Sequence, residues 1–215
     1  MRTQTTVSRS KLRRRAASIA VGAALGVVAA APMAAIIDSG PISIAVPANI
    51  DGIYMNWVTG VTGTLGSSVP GWDFDPFAGS APANPTLFFF SSIVAGNTTR
   101  VVGALTTATA LAVGAVIGPG IILTTAGAVN TTGTAFRNTG TTYVGIVFSN
   151  EAAVTYYGYA QLATTAPLGF PVTITRYVYE NTGQPITIAG GAPPVEQSAV
   201  SRKDQGGTNF DLLLP

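Results

Sequence analysis

The chain has 215 residues, 47% of them hydrophobic and only 9% charged, with 25 Gly, 14 Pro and neither Cys nor His. Disorder needs low hydrophobicity and high net charge, so the body of the chain is expected to fold; without Cys there is no disulfide scaffold or thiolate metal site, and without His the commonest general base and favoured transition-metal ligand are missing. Six of the 11 basic residues fall in the first fifteen positions, and from residue 36 onward five basic residues stand against nine acidic ones, a net −4 that argues against binding nucleic acid.

In chain order, Arg2, Arg9, Lys11 and Arg13-Arg14-Arg15 precede an uncharged Ala-rich run, 16–31, that ends in small residues. This is the charge, apolar run and A-x-A ending of a secretory signal peptide. Residues 1–35 are expected to be a leader removed on export by the general route, with the cut after Ala31 or near Ala35. The run is short and weakly apolar for a membrane anchor, so no stable span is expected after removal. Residues 36–190 then form a secreted domain, large enough to bury about 70% of its unfolded surface. Residues 191–215, opening on Gly191-Ala192-Pro193-Pro194, are expected to be a flexible tail.

Within the domain, runs rich in Val, Ile, Thr, Tyr and Phe recur between Gly, Pro, Asn and Ser clusters at 42–46, 53–59, 86–94, 141–148, 154–162 and 172–180. None sustains a 3.6-residue period, so the expected fold class is all-β: a single antiparallel β-sandwich or jelly-roll-like domain. Val144, Ile146 and Phe148 on one strand, and Val172, Ile174 and Val178 on another, are expected to face the core with period 2. The uncharged stretch 101–123 has the length of a membrane helix, but its threonines and the Gly118-Pro119-Gly120 break favour two segments around a turn. One short helix is allowed near 104–113.

Two carboxylates, Asp73 and Asp75, stand at i and i+2 in Trp72-Asp73-Phe74-Asp75-Pro76 and are the candidate metal ligands, on the ground that Asp-x-Asp spacing can present oxygens to calcium. Two carboxylates are a small part of such a site, and solvated or backbone-bonded loop aspartates are the bland alternative. Asp51-Gly52 reads as a turn into a strand and Glu151 as a hairpin-loop carboxylate. Arg176 is expected to pair with Glu180 on its own face or with a neighbouring strand. Tyr157, Tyr159, Tyr177 and Tyr179 belong to the richest aromatic set in the chain and are the candidate ligand-binding residues, although they are strong strand formers and packing across strands is the favoured reading. Asn97-Thr98-Thr99 and Asn130-Thr131-Thr132 match the glycosylation triplet, a short and unspecific signal. No catalytic residue and no cofactor are expected.

The segments Tyr143-Val144-Gly145-Ile146-Val147-Phe148, Tyr156-Tyr157-Gly158-Tyr159-Ala160-Gln161-Leu162 and Tyr177-Val178-Tyr179-Glu180-Asn181-Thr182-Gly183-Gln184-Pro185-Ile186 resemble a family of uncharacterised secreted bacterial proteins, many of which carry a PEP-CTERM sorting tail. Ala115-Val116-Ile117-Gly118-Pro119 resembles the segment before those strands. Tyr159 stands where that family usually has Trp, and the Pro-Glu-Pro tail with its apolar span is absent. The resemblance implies an exported β domain of the cell surface or matrix and carries over no activity. The expected function is a non-enzymatic extracellular module, structural or adhesive, whose partner is a polysaccharide or other surface polymer held by Tyr, Trp and loop carboxylates. The alternatives are a carboxylate-based glycan-active enzyme, chemistry that needs no His or Cys, and a self-associating filament subunit suggested by apolar runs such as Leu87-Phe88-Phe89-Phe90.

Overall fold

The computed structural model describes residues 35–79, 83–94, 97–149 and 153–190. The expected leader, apart from Ala35, the tail 191–215 and the loop carboxylate Glu151 lie outside them. The strands are β1 (Ile36–Asp38), β2 (Ile44–Ala45), β3 (Tyr54–Met55), β4 (Thr62–Gly63), β5 (Pro76–Ala78), β6 (Leu87–Val94), β7 (Asn97–Val101) and β8 (Gly103–Ala104), followed by β9 (Thr107–Ala108), β10 (Ala110–Leu111), β11 (Val116–Ile117), β12 (Gly127–Asn130), β13 (Gly140–Ser149), β14 (Thr155–Thr164), β15 (Thr173–Glu180) and β16 (Ile186–Thr187). The fold is all-β and sandwich-like. Helical structure among the described residues is confined to two three-residue 3₁₀ turns, Gly66–Ser68 and Ala135–Arg137.

The longest strands, β13, β14 and β15, are rich in Val, Ile, Thr and Tyr and pair antiparallel in sequence order. Residues 140–149 pair with 155–164 without a shift, so the period-2 pattern of the sequence survives intact. Val144, Ile146 and Phe148 enter the larger core, while Val147 lies in a smaller one on the opposite face. Strand β6 serves two layers: its first residues pair with β5 and β12, and Ser92 to Val94 pair with β7, which continues to β13. Strands that switch layers in this way close the corner of a sandwich. Between the layers sit Leu87, Phe89 and Val129 from one side and Ile146, Phe148, Leu162 and Ile174 from the other, with Trp57, Phe74 and Phe136 filling the space.

Two sequence expectations are corrected. The allowed short helix near 104–113 is absent, because the stretch is cut into β8, β9 and β10, with Leu105 turning at φ 52° between the first two. Thr106, Thr107 and Thr109 suit strands, and β9 and β10 find partners in β12 and β13. The second correction is on β15. Gln161 pairs with Arg176 but Leu162 pairs with Ile174, so Thr175 is an extra residue, a β-bulge. The bulge shifts the alternation by one: Val172, Ile174 and Tyr179 join the larger core, with Tyr177 packed against it, and Val178 goes to the smaller core instead of sharing a face with Ile174.

The smaller core lies on the other face of β13–β15. There Tyr159, Val147 and Val178 are covered by Ile117, Ile186 and Ile188, which come from the antiparallel pair β11–β16 and the residues after it. No helix among the described residues is long and apolar enough to cross a membrane.

Candidate functional site

The segment 53–57 is held between two partners. On one side Tyr54 and Met55 pair with β4; on the other the amide of Ile53 donates to Pro76 and that of Met55 to Phe74, at 3.1 and 2.9 Å. The amides of Asp73 and Phe74 both donate to the Met55 carbonyl, at 2.7 and 3.1 Å. That shared acceptor breaks the two-residue alternation of the 72–76 stretch. Asn56 then ties the loop together: its side-chain amide donates to the carbonyls of Pro70 and Gly71, at 2.9 and 3.0 Å, and its oxygen accepts from the Thr59 amide at 2.9 Å. Trp72, immediately after Gly71, is placed by these bonds.

Asp73 and Asp75, the expected metal candidates, are both buried, with 1% and 3% of their surfaces exposed. They serve different surroundings. Asp73 Oδ2 accepts from the Trp57 amide at 2.7 Å, and its charge is felt by Tyr177 and Tyr179 on the core side. Asp75 interacts with Tyr54 and Asp51 instead. Its Oδ1 is sealed from solvent and has no hydrogen-bond partner. Burial, with the charge of Asp51 adding to it, pushes the Asp75 carboxyl up to about 8, so it is protonated at neutral pH. Among the described residues no three His, Cys, Asp or Glu side chains come together as a metal-ligand cluster.

Around Asp75 stands a group of rings that no sequence motif marked. Tyr54 packs on Trp72 with ring centroids 5.3 Å apart at 70°, and Trp72 on Phe90 at 6.1 Å and 65°. All three are half-buried, and Asp51, exposed, lies within electrostatic reach of the Tyr54 hydroxyl. The residues come from β3, the 72–76 stretch and β6. The available signal was the alternation in Leu87-Phe88-Phe89-Phe90: Leu87 and Phe89 are fully buried, whereas Phe88 and Phe90 stay half-exposed on the other face. Close approach shapes the shelf too, since a Cβ on Gly66 would sit 3.1 Å from the Tyr54 ring and 3.4 Å from the Trp72 indole nitrogen.

The four candidate tyrosines do not form one surface. Tyr177 stacks on Trp57, 5.1 Å between centroids at 17°, and Tyr179 packs on Phe148 and Tyr156, all against the larger core. Tyr157 and Tyr159 lie on the opposite face, against the smaller core. Tyr159 is 2% exposed, and its hydroxyl accepts from the Ala189 amide at 3.3 Å. Gly158 between them lets Trp57 approach: a Cβ there would meet the indole edge at 2.9 Å and the Val178 carbonyl at 2.7 Å.

A cleft of about 590 Å³ opens beside Tyr159, lined by Ile36, Val178, Pro185 and Ile186, with Arg176 and Asp38 among its polar groups. Arg176 pairs with Asp38 across β1 rather than with Glu180: its Nε donates to Asp38 Oδ1 at 2.8 Å and its Nη2 to Oδ2. Glu180 caps a turn, accepting from the amides of Thr182 and Gln184. The Arg176 hydrogen bond, supported by the Gly40 amide, holds the Asp38 carboxyl below its usual range. In the Asn130-Thr131-Thr132 triplet the Asn130 amide donates to Thr106 and its oxygen accepts from Thr132, so this side chain is spent on a turn.

No protein-family model, no curated protein and no solved structure matches this chain.

Proposed function

We propose that the chain is an exported, non-enzymatic β module of the cell surface or extracellular matrix that holds polysaccharide on the Tyr54–Trp72–Phe90 shelf. The observation that carries this reading is the shelf itself: three half-buried rings, Trp72 in edge contact with both Tyr54 and Phe90, with a solvent-exposed carboxylate at Asp51 beside them. Sugar rings carry C–H groups on their faces and hydroxyls at their edges, so an aromatic surface beside a carboxylate offers both contacts they need. The basic stretch and Ala-rich run at the amino end support export, and so does the resemblance of the carboxy-terminal half to secreted bacterial β-domain proteins. The test is retention on immobilised polysaccharides of the protein and of Trp72→Ala, whose melting is followed in parallel. Loss of retention by about tenfold or more, about 1.4 kcal/mol of binding, at an unchanged melting midpoint is expected. Equal retention of the two proteins removes the shelf from the reading.

A second reading is glycan hydrolysis, favoured by one observation: Asp75 is protonated at neutral pH next to Asp51, and acid–base pairs in glycosidases are made by pushing two carboxyls apart. Against it, Asp75 Oδ1 is sealed from solvent. A proton donor must come within hydrogen-bond reach of the bond it cleaves. Release of reducing ends by the wild type, abolished in Asp75→Asn, is the result that makes this reading the better one.

A further inference from the structure

We infer that the shelf takes a single, uncharged glycan chain, and refuses both the flat face of a crystalline polymer and a polyanion; this rests on the adhesive reading above. The geometry of the rings gives the first half. Trp72 stands at 70° to Tyr54 and at 65° to Phe90. A flat polymer face needs several rings in one plane to lie against it. Trp72 shares a plane with neither neighbour, which suits one sugar at a time along a separate strand.

The charges give the second half. The ionisable groups felt at the Tyr54 hydroxyl are Asp75 and Asp51, both carboxyls. The described arginines are engaged elsewhere: Arg176 with Asp38, Arg137 with the hydroxyls of Thr131 and Thr132, and Arg100 with the Thr124 carbonyl. An acidic polymer would therefore meet a carboxylate at Asp51 with no described cation to offset it. Like charges at close range oppose binding, and salt weakens that opposition because the screening length falls from about 30 Å at 0.01 M to about 3 Å at 1 M. An uncharged chain meets no such barrier and still finds an acceptor in Asp51 for its hydroxyls.

The experiment uses the full chain after export, with Trp72→Ala, Phe90→Ala and Asp51→Asn variants whose folding is checked by melting. The probes are soluble mixed-linkage β-glucan, mannan and dextran as uncharged chains, polygalacturonate as the polyanion, and microcrystalline cellulose and chitin as flat faces. At low salt at least one uncharged chain is expected to bind about tenfold or more tighter than polygalacturonate, through Trp72 and Phe90, with no retention on the crystalline polymers. Asp51→Asn is expected to narrow the discrimination, and so is raising the salt. Trp72-dependent binding that favours polygalacturonate or a crystalline face, or discrimination unchanged by Asp51→Asn, overturns this inference while leaving the adhesive reading standing. Binding of none of the probes through Trp72 removes both.

Discussion

Two carboxyls of this protein, one half-buried and one buried, are held in opposite ways. Asp38, on β1, is met by both arms of the Arg176 guanidinium and by a backbone amide, and stays charged with its pKa lowered. Asp75, in the stretch before β5, has an oxygen with no partner and a second carboxylate nearby, and its pKa rises to about 8. The strand-built corner had a cation to offer; the loop-built one did not. Burial therefore sets how much is at stake, and the partner sets the sign.

The largest expected effect comes from pH. Asp75 has a folded pKa raised above its ordinary value of 3.8 to about 8, so the stability it contributes is fully present below pH 3.8 and is lost as pH rises to about 8. The whole loss is of the order of 5 kcal/mol at 1.36 kcal/mol per unit. Asp75→Asn keeps the shape and cannot ionise, so denaturant midpoints taken from pH 4 to 9 should lose this downward slope and rise at pH 8. Asp38 runs the other way: its lowered pKa contributes stability present above its ordinary range and lost as pH falls through the folded value. A wild-type profile without the alkaline decline would break the comparison.

Next in size is Asp38→Ala, which takes from Arg176 the carboxylate that its guanidinium meets and should cost about 1.5 to 3 kcal/mol in denaturant melts. If Asp38→Ala costs less than about 1 kcal/mol, the pair has the weight of an ordinary surface ion pair and the corner is wetter than its burial indicates. Tyr159→Phe removes the bond from the Ala189 amide beside that corner and should cost about 1 kcal/mol, with no change in the pH profile. The smallest effect belongs to Asp51→Asn. Removing the lesser of the two causes that raise Asp75 should move its decline to slightly lower pH, and an unchanged profile would mean that burial alone holds Asp75 protonated.

The same contrast explains what the sequence could reveal. Val144, Ile146 and Phe148 alternate without interruption because β13 is regular over all ten residues, and that part of the fold was readable directly. On β15 the same rule failed after Ile174, since one bulged residue changes the face of everything beyond it. Asp73 and Asp75 were paired by their spacing, and the shared acceptor at Met55 is what separates their surroundings. Tyr54, Trp72 and Phe90 lie on three segments that only long-range pairing brings together, so local pattern hints at the shelf only through the alternation that leaves Phe90 on the outer face of β6. Short strands such as β5, β9 and β16 also escaped, being two or three residues long and defined by their partners rather than by propensity.

The seam between β1 and β15 joins residues 138 positions apart, as in the Asp38–Arg176 pair. Contacts so distant along the chain are the slowest to find, because the entropy of closing the intervening loop is lost before the pairing rewards it. During synthesis β1 has no mate until almost the whole domain has followed it. A chain threaded amino end first through a narrow pore would keep that strand single throughout its passage. The corner with the best-matched charges is thus the last stitch, and folding to completion is postponed until β15 arrives.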